Sequence, residues 1–273
     1  MLTFTTSETH PLEIQVKLRR PALYLDSCVI SDLAGTQKGE RLRKLICGTG
    51  TLYISWAHLV EVFGIGQGPT FERISAYLKA FGPHFIIIDS DTNAVARRER
   101  EWKWGRQNPA IDEEFLRRLP GYWDGKTEMS LGILLDGMGK EDGVFEGIKQ
   151  LHSRYKFNLK RLFDEQRRRY GTDKQRKRIL NRADYSAMSA HLLATRIQLE
   201  LLRETVRTHE TFNESDALDF SHAVIGIAYC DYAVLDKKWA RRCRKVDLPR
   251  AAATVYDGTE IDRLLAACEN WKA

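Results

Sequence analysis

The chain has 273 residues, 43% of them hydrophobic and 29% charged, with a formal net charge of +6. This is the balance of a water-soluble globular protein, long enough for one large core or two modest ones. The longest apolar stretch, AVIGIAY at 223–229, is too short to cross a bilayer, which excludes a helical membrane protein.

The first twenty residues lack a basic start followed by an apolar run and a small-residue cleavage site, so no secretory signal is expected. Five cysteines (Cys28, Cys47, Cys230, Cys243, Cys268) are scattered, odd in number and without C-x-x-C spacing. They argue against a disulfide framework or a zinc site and for a reducing, cytoplasmic location. No H-x-x-x-H pair occurs among the seven histidines, so any metal must be held by carboxylates.

In chain order, the first apolar run is ALYLD, ending at Asp26, followed by a helix expected over Ser31 to Cys47. TLYIS ends at Ser55, and a helix starting there carries Glu61 about two turns in. Gly64, Gly66 and Gly68 read as a helix terminus and loop, because they follow a helix and lack the Lys-Ser/Thr of a phosphate-binding loop. Phe71, Ile74, Leu78 and Phe81 recur at helical spacing over Thr70 to Phe81, and HFIIID then ends at Asp89.

From Asp89 to Asn213 the pattern turns to long polar helices with no convincing strand. Val144, Ile148, Leu151, Tyr155, Leu159 and Leu162 form one apolar stripe, and HLLATRIQLELLRETV follows later. A helix with Asp216 as its candidate N-cap then carries Asp219 and runs towards Tyr229. DYAVLD ends at Asp236, and ATVYD, ending at Asp257, suits an edge strand. Nearly continuous apolar runs alternating with helices predict an α/β fold: a parallel sheet covered on both faces, with functional loops at the carboxyl ends of its strands.

Asp26 and Asp236 terminate two such strands, and Glu61 and Asp219 lie early in two helices. Four oxygen donors converging at one sheet edge would suit Mg²⁺ or Mn²⁺. A metal there would lower the pKa of a bound water and neutralise charge on a phosphate. Against this, a strand-end Asp commonly does no more than cap the next helix.

From Lys149 to Arg182, thirteen Lys or Arg stand against Asp164, Glu165 and Asp173, an excess of ten positive charges. Such a block suits a phosphate backbone or, equally, a solvated helix face. The residues expected to grip nucleic acid are Arg167, Arg168, Arg169, Lys174, Arg176, Lys177 and Arg178, with Lys237 beside the acids. Trp239 is expected to pack in the core rather than to stack on a base.

PALYLDSCVISDL around Asp26, YISWAHLVEV around Glu61 and DALDFSHAVIGIAYCDYAVLDKKW from 216 to 239 together resemble the PIN-domain nucleases. The resemblance implies a PIN-like three-layer fold: a discontinuous catalytic domain over 20–90 and 214–273, interrupted by a helical insertion over 91–213. It implies metal ligation by Asp26, Asp219 and Asp236, with Glu61 in the catalytic set and Asp216 and Asp231 as lesser candidates. His222 is then a supporting or packing side chain, and Val234 stands where many relatives carry Thr or Ser. The implied activity is metal-dependent endoribonuclease cleavage of RNA, in a toxin or defence role, with an inhibitory protein partner and a homo-oligomer among its implied partners. The alternative is a degenerate PIN-like module that binds RNA or protein. A phosphatase of the haloacid-dehalogenase kind is disfavoured because Cys28 stands where that chemistry needs a second Asp.

Overall fold

The computed structural model describes residues 2–5, 13–101, 108–123, 128–140, 144–169, 190–208 and 213–271, together with Thr172, Lys174 and Met188. Near the start, β1 (Leu2–Thr5) and β2 (Glu13–Val16) pair antiparallel as a ribbon separate from the main sheet. The sequence reading did not foresee it, because four-residue strands mixing Thr, Glu and Gln with apolar residues carry little periodic signal.

The main sheet has five parallel strands: β3 (Ala22–Leu25), β4 (Thr51–Ser55), β5 (Phe85–Ile88), β6 (Tyr232–Leu235) and β7 (Thr254–Asp257). Their order is β5, β4, β3, β6, β7. Each coincides with an apolar run read from the sequence. The first four are buried throughout, whereas β7 begins exposed, as befits an edge. The protein is therefore α/β, with a central parallel sheet flanked by helices.

From β3 the chain winds outwards through β4 to β5, then returns across the sheet to enter β6 beside β3 and continues to β7. Connections leaving β3 and β6 thus run in opposite directions. Two neighbouring strands so related open a crevice at their carboxyl ends, the usual ligand position in an open α/β sheet.

The helix expected over 31–47 is two helices, α1 (Ser27–Leu33) and α2 (Gln37–Thr49). Gly35 takes a left-handed φ of 78° between them, and the Thr36 side chain accepts from Gly39 N–H at 3.0 Å to start α2. A β-carbon at Gly39 would lie 2.2 Å from the Leu33 carbonyl oxygen, so this corner is closed by direct backbone contact. Next come α3 (Trp56–Gly64) and α4 (Pro69–Lys79), separated by the glycine loop.

Between β5 and β6 lie α5 (Thr92–Glu101), α6 (Glu113–Arg118), α7 (Leu131–Lys140), α8 (Val144–Arg169), α9 (Leu193–Thr208) and α10 (Glu214–Tyr229). Among the described residues this stretch adds no strand, only a bridge from Ile111 to Ile88. Within the apolar stripe read on α8, Leu159 is buried; the side chains at 144, 148, 151, 155 and 162 lie outside the described residues. Glu99 ties these helices to α10. Its fully buried carboxylate accepts from the backbone N–H groups of Ala194 and Thr195 at 2.6 and 3.0 Å, and from the Tyr229 hydroxyl. A carboxylate at the amino end of α9 satisfies donors that helix geometry leaves open.

Asp216 is not the N-cap of α10. Asn213 takes that place, and Asp216 reaches back from the third helical position to accept from Asn213 N–H at 3.1 Å. The AVIGIAY run forms the second half of α10, and Ala223 to Ala228 are buried throughout, which explains why it is apolar on all sides. Two helices, α11 (Lys237–Cys243) and α12 (Ile261–Glu269), follow β6 and β7. No helix among the described residues is long and apolar enough to cross a membrane.

Gly226 allows α10 to lie close against β3, because a β-carbon there would meet the fully buried Tyr24 ring at 2.7 Å. Replacing it with Ala improves helix propensity by about 1 kcal/mol, but overpacking against an immobile ring costs about 1–3 kcal/mol. Gly226→Ala should therefore lower stability. An unchanged denaturant midpoint would show that α10 can lift off Tyr24 freely.

Candidate functional site

The parallel register sets the site. Asp26 directly follows β3, and its N–H donates to the Val234 carbonyl at 2.8 Å, which carries the pairing with β6 to the sheet edge. Asp236 directly follows β6, and its own N–H lies 3.3 Å from Asp26 Oδ2. Each aspartate also caps a helix. Asp26 Oδ1 accepts from Ser27 N–H at 2.7 Å, and Asp236 Oδ1 accepts from Trp239 N–H at 2.6 Å. The capping role weighed from sequence is thus present at both positions. It engages Oδ1 of each, leaving Asp236 Oδ2 beyond it.

Glu61 approaches from α3 and Asp219 from α10, the sixth residue of its helix in each case. The four acids act on one another electrostatically. Burial, then Glu61 and Asp236, push Asp26 up to about 7. Burial, then Asp26, Asp236 and Glu61, push Asp219 up to about 8. Glu61 is also raised by burial, against the opposing influence of the Ser27 hydroxyl and the Lys156 ammonium. Ser27 Oγ lies near Glu61 without making a well-formed hydrogen bond.

Two other strand-end aspartates show what a purely structural carboxylate looks like here. Asp89, after β5, is paired with Arg98 at 2.7 Å, and Asp257, ending β7, with Arg244 at 3.3 Å. Among the described residues, Asp26, Glu61, Asp219 and Asp236 make no ion pair. Buried like charges without a counter-ion are unfavourable unless a cation joins them.

Beneath the acids lies a buried layer in which His222 has the packing role expected of it, beside His58, which the sequence had not singled out. His58 and His222 stack with ring centroids 5.1 Å apart and planes 8° from parallel, and the edge of Tyr24 meets both. His58 Nδ1 accepts from Ser55 N–H at 2.9 Å and Nε2 faces the Leu25 carbonyl at 2.7 Å, which assigns the proton to Nε2. Burial pushes His58 down to about 4, so it is neutral. The signal was present in the sequence: each histidine lies one helical turn from an acid, His58 before Glu61 and His222 after Asp219.

A cleft of about 280 Å³ opens beside Glu61, lined by Ser27, Cys28, Ile30, Glu61, Ile65 and Ile74. Cys28 is exposed, yet poor hydration of its thiol and the nearby Asp26 and Asp236 push it up to about 12, which keeps it from serving as a nucleophile.

The remaining sequence candidates are dispersed. Asp231 precedes β6, at the opposite edge, where it accepts from Ala22 N–H at 2.7 Å and pairs with Arg20; it is not part of the cluster. Asp216 pairs with Lys238, and Lys237 is exposed. Trp239 is buried against Phe220, with the Arg242 guanidinium 4.5 Å above its ring, so it packs in the core. Arg168 and Lys174 are exposed. The side chains of Arg167 and Arg169 lie outside the described residues, as do Arg176, Lys177 and Arg178 entirely.

The donor set is that of a hard divalent cation. Among the described residues, however, no three His, Cys, Asp or Glu side chains are spaced closely enough to chelate an ion as they stand. Mutual repulsion and the helix-capping bonds both oppose such contraction. No family model, no curated protein and no solved structure matches the chain.

Because the folded-state value of Asp219 is raised, its contribution to stability is fully present below about pH 4 and is lost as pH rises through about 8. Asp219→Asn has no such loss. In chelator-treated protein the variant should gain stability over the parent progressively across this window. A difference in melting temperature that does not change between pH 5 and pH 8.5 would contradict this origin of the shift.

Proposed function

We propose that the chain is a metal-dependent endoribonuclease with a PIN-like three-layer fold, whose helical stretch over 91–213 is an inserted subdomain. The observation that carries this reading is the contrast among strand-end acids: Asp89 and Asp257 have arginine partners, while Asp26 and Asp236, at the crevice, share space with Glu61 and Asp219 and have none. Asp26, Asp219 and Asp236 would hold Mg²⁺ or Mn²⁺, with Glu61 completing the catalytic set. When bound, such an ion supplies an activated water and neutralises charge on phosphorus.

The chain's own residues prepare the site for this. Backbone N–H groups of Ser27 and Trp239 fix the two aspartates in orientation at the sheet edge. The neutral His58, stacked on His222, forms a buried floor beneath them. Exposed basic residues, among them Lys237, Arg168 and Lys174, would attract the RNA backbone.

A nuclease of this kind is toxic unless restrained, which suits a cytoplasmic toxin or defence effector controlled by an inhibitory protein. The spacing of the acids lends some support to a second reading, a degenerate module that binds RNA or protein without cutting. Total RNA incubated with Mg²⁺ or Mn²⁺ separates the two. Asp26→Asn preserves size and removes an anionic ligand, so it should slow cleavage by at least about 100-fold. Cleavage at the parental rate by a folded Asp26→Asn variant would refute the assignment.

A further inference from the structure

On α8, Lys156, Leu159 and Phe163 recur at i, i+3 and i+7 and so share one face. Leu159 and Phe163 are buried, and Phe163 meets Phe220 edge-on at 4.8 Å, next to Asp219 in sequence. The helix packs against both α3 and α10, the two helices that supply Glu61 and Asp219. Seven residues before Phe163, about 10 Å along the axis, this buried stripe reaches a half-buried lysine instead of an apolar residue. Lys156 is near enough to Glu61 to favour its ionised form.

Two neighbouring lysines are already engaged. Lys160 pairs with Asp164 at 2.8 Å, and Lys238 pairs with Asp216. Among the described residues Lys156 forms no ion pair, although Glu61 of the acidic cluster lies near it. A phosphate entering that crevice meets strong like-charge repulsion, and a positive charge at its rim relieves the repulsion where it is greatest. Lysine suits the task, since its ammonium on a flexible stem can turn from Glu61 to an arriving oxygen.

We propose that Lys156, carried in by α8, contacts a non-bridging oxygen of the scissile phosphate and makes α8 part of the substrate site. This rests on the nuclease reading and adds to it a residue outside the segments that resemble a known family. Lys156→Gln removes the charge while keeping a polar side chain, and Lys156→Arg restores the charge. Both are compared with the parent for kcat and KM on a short unstructured RNA, and for RNA affinity against salt in chelator.

The expected result is a fall in kcat/KM of about tenfold or more in Lys156→Gln, with the slope of log affinity against log salt reduced by about one. Lys156→Arg should recover most of both. Parental kcat/KM and slope in Lys156→Gln would overturn the proposal while leaving the nuclease reading intact. So would equal impairment of the two variants, which would mark a packing role. Absence of metal-dependent cleavage by the parent would remove the nuclease reading and this inference with it.

Discussion

The site depends on one topological constraint. With β3 and β6 adjacent and their connections leaving in opposite directions, a crevice opens at their carboxyl ends. Residues that follow those strands must share that space. Here both are aspartates, held so closely that the backbone N–H of one reaches the carboxylate of the other. Short helices begin at each aspartate, and their open N–H groups supply the partial positive charge that makes two neighbouring anions tolerable. Helices α3 and α10 then bring Glu61 and Asp219 to the same crevice, where local hydrogen bonds no longer balance the charge.

What lies beneath the cluster sharpens the imbalance. A floor of Tyr24, His58 and His222, all buried, closes the underside of the acids, and His58 within it is neutral. The geometry of this floor is tightly determined. His58 is anchored at both ring nitrogens to Ser55 and Leu25, and Gly226 lets α10 close over Tyr24. Such an arrangement costs stability in the isolated protein, a cost that proteins commonly carry at functional sites.

The sheet was legible in the sequence because strands buried on both faces need continuous apolar runs, and ALYL, TLYIS, FIII and YAVL are such runs. Asp26 and Asp236 were legible for a related reason, since an acid at the end of such a run must lie at the sheet edge. Strand order was not legible, because apolar runs do not say which neighbours they pair with. The corner at Gly35 escaped notice, as its one positive φ is invisible in a pattern of apolar spacing. Asp216 suits a cap position by residue type, and the reciprocal bonds seen in space show that Asn213 holds it instead. His58 lies one turn from Glu61, a spacing that hints at a shared site but does not reveal the His222 ring it stacks on, and Lys156 gives no such hint, because spacing on α8 does not show what α3 carries opposite it.

The central claim is that Asp26, Glu61, Asp219 and Asp236 form one divalent-cation site. Diffraction from a crystal soaked in Mn²⁺, collected at a wavelength where manganese scatters anomalously, tests it most directly. The account predicts an anomalous peak about 2.0–2.6 Å from carboxylate oxygens of Asp26 and Asp236 and of at least one of Glu61 and Asp219. Saturating Mn²⁺ that leaves the crevice without a peak would contradict it, as would ions bound only elsewhere on the surface.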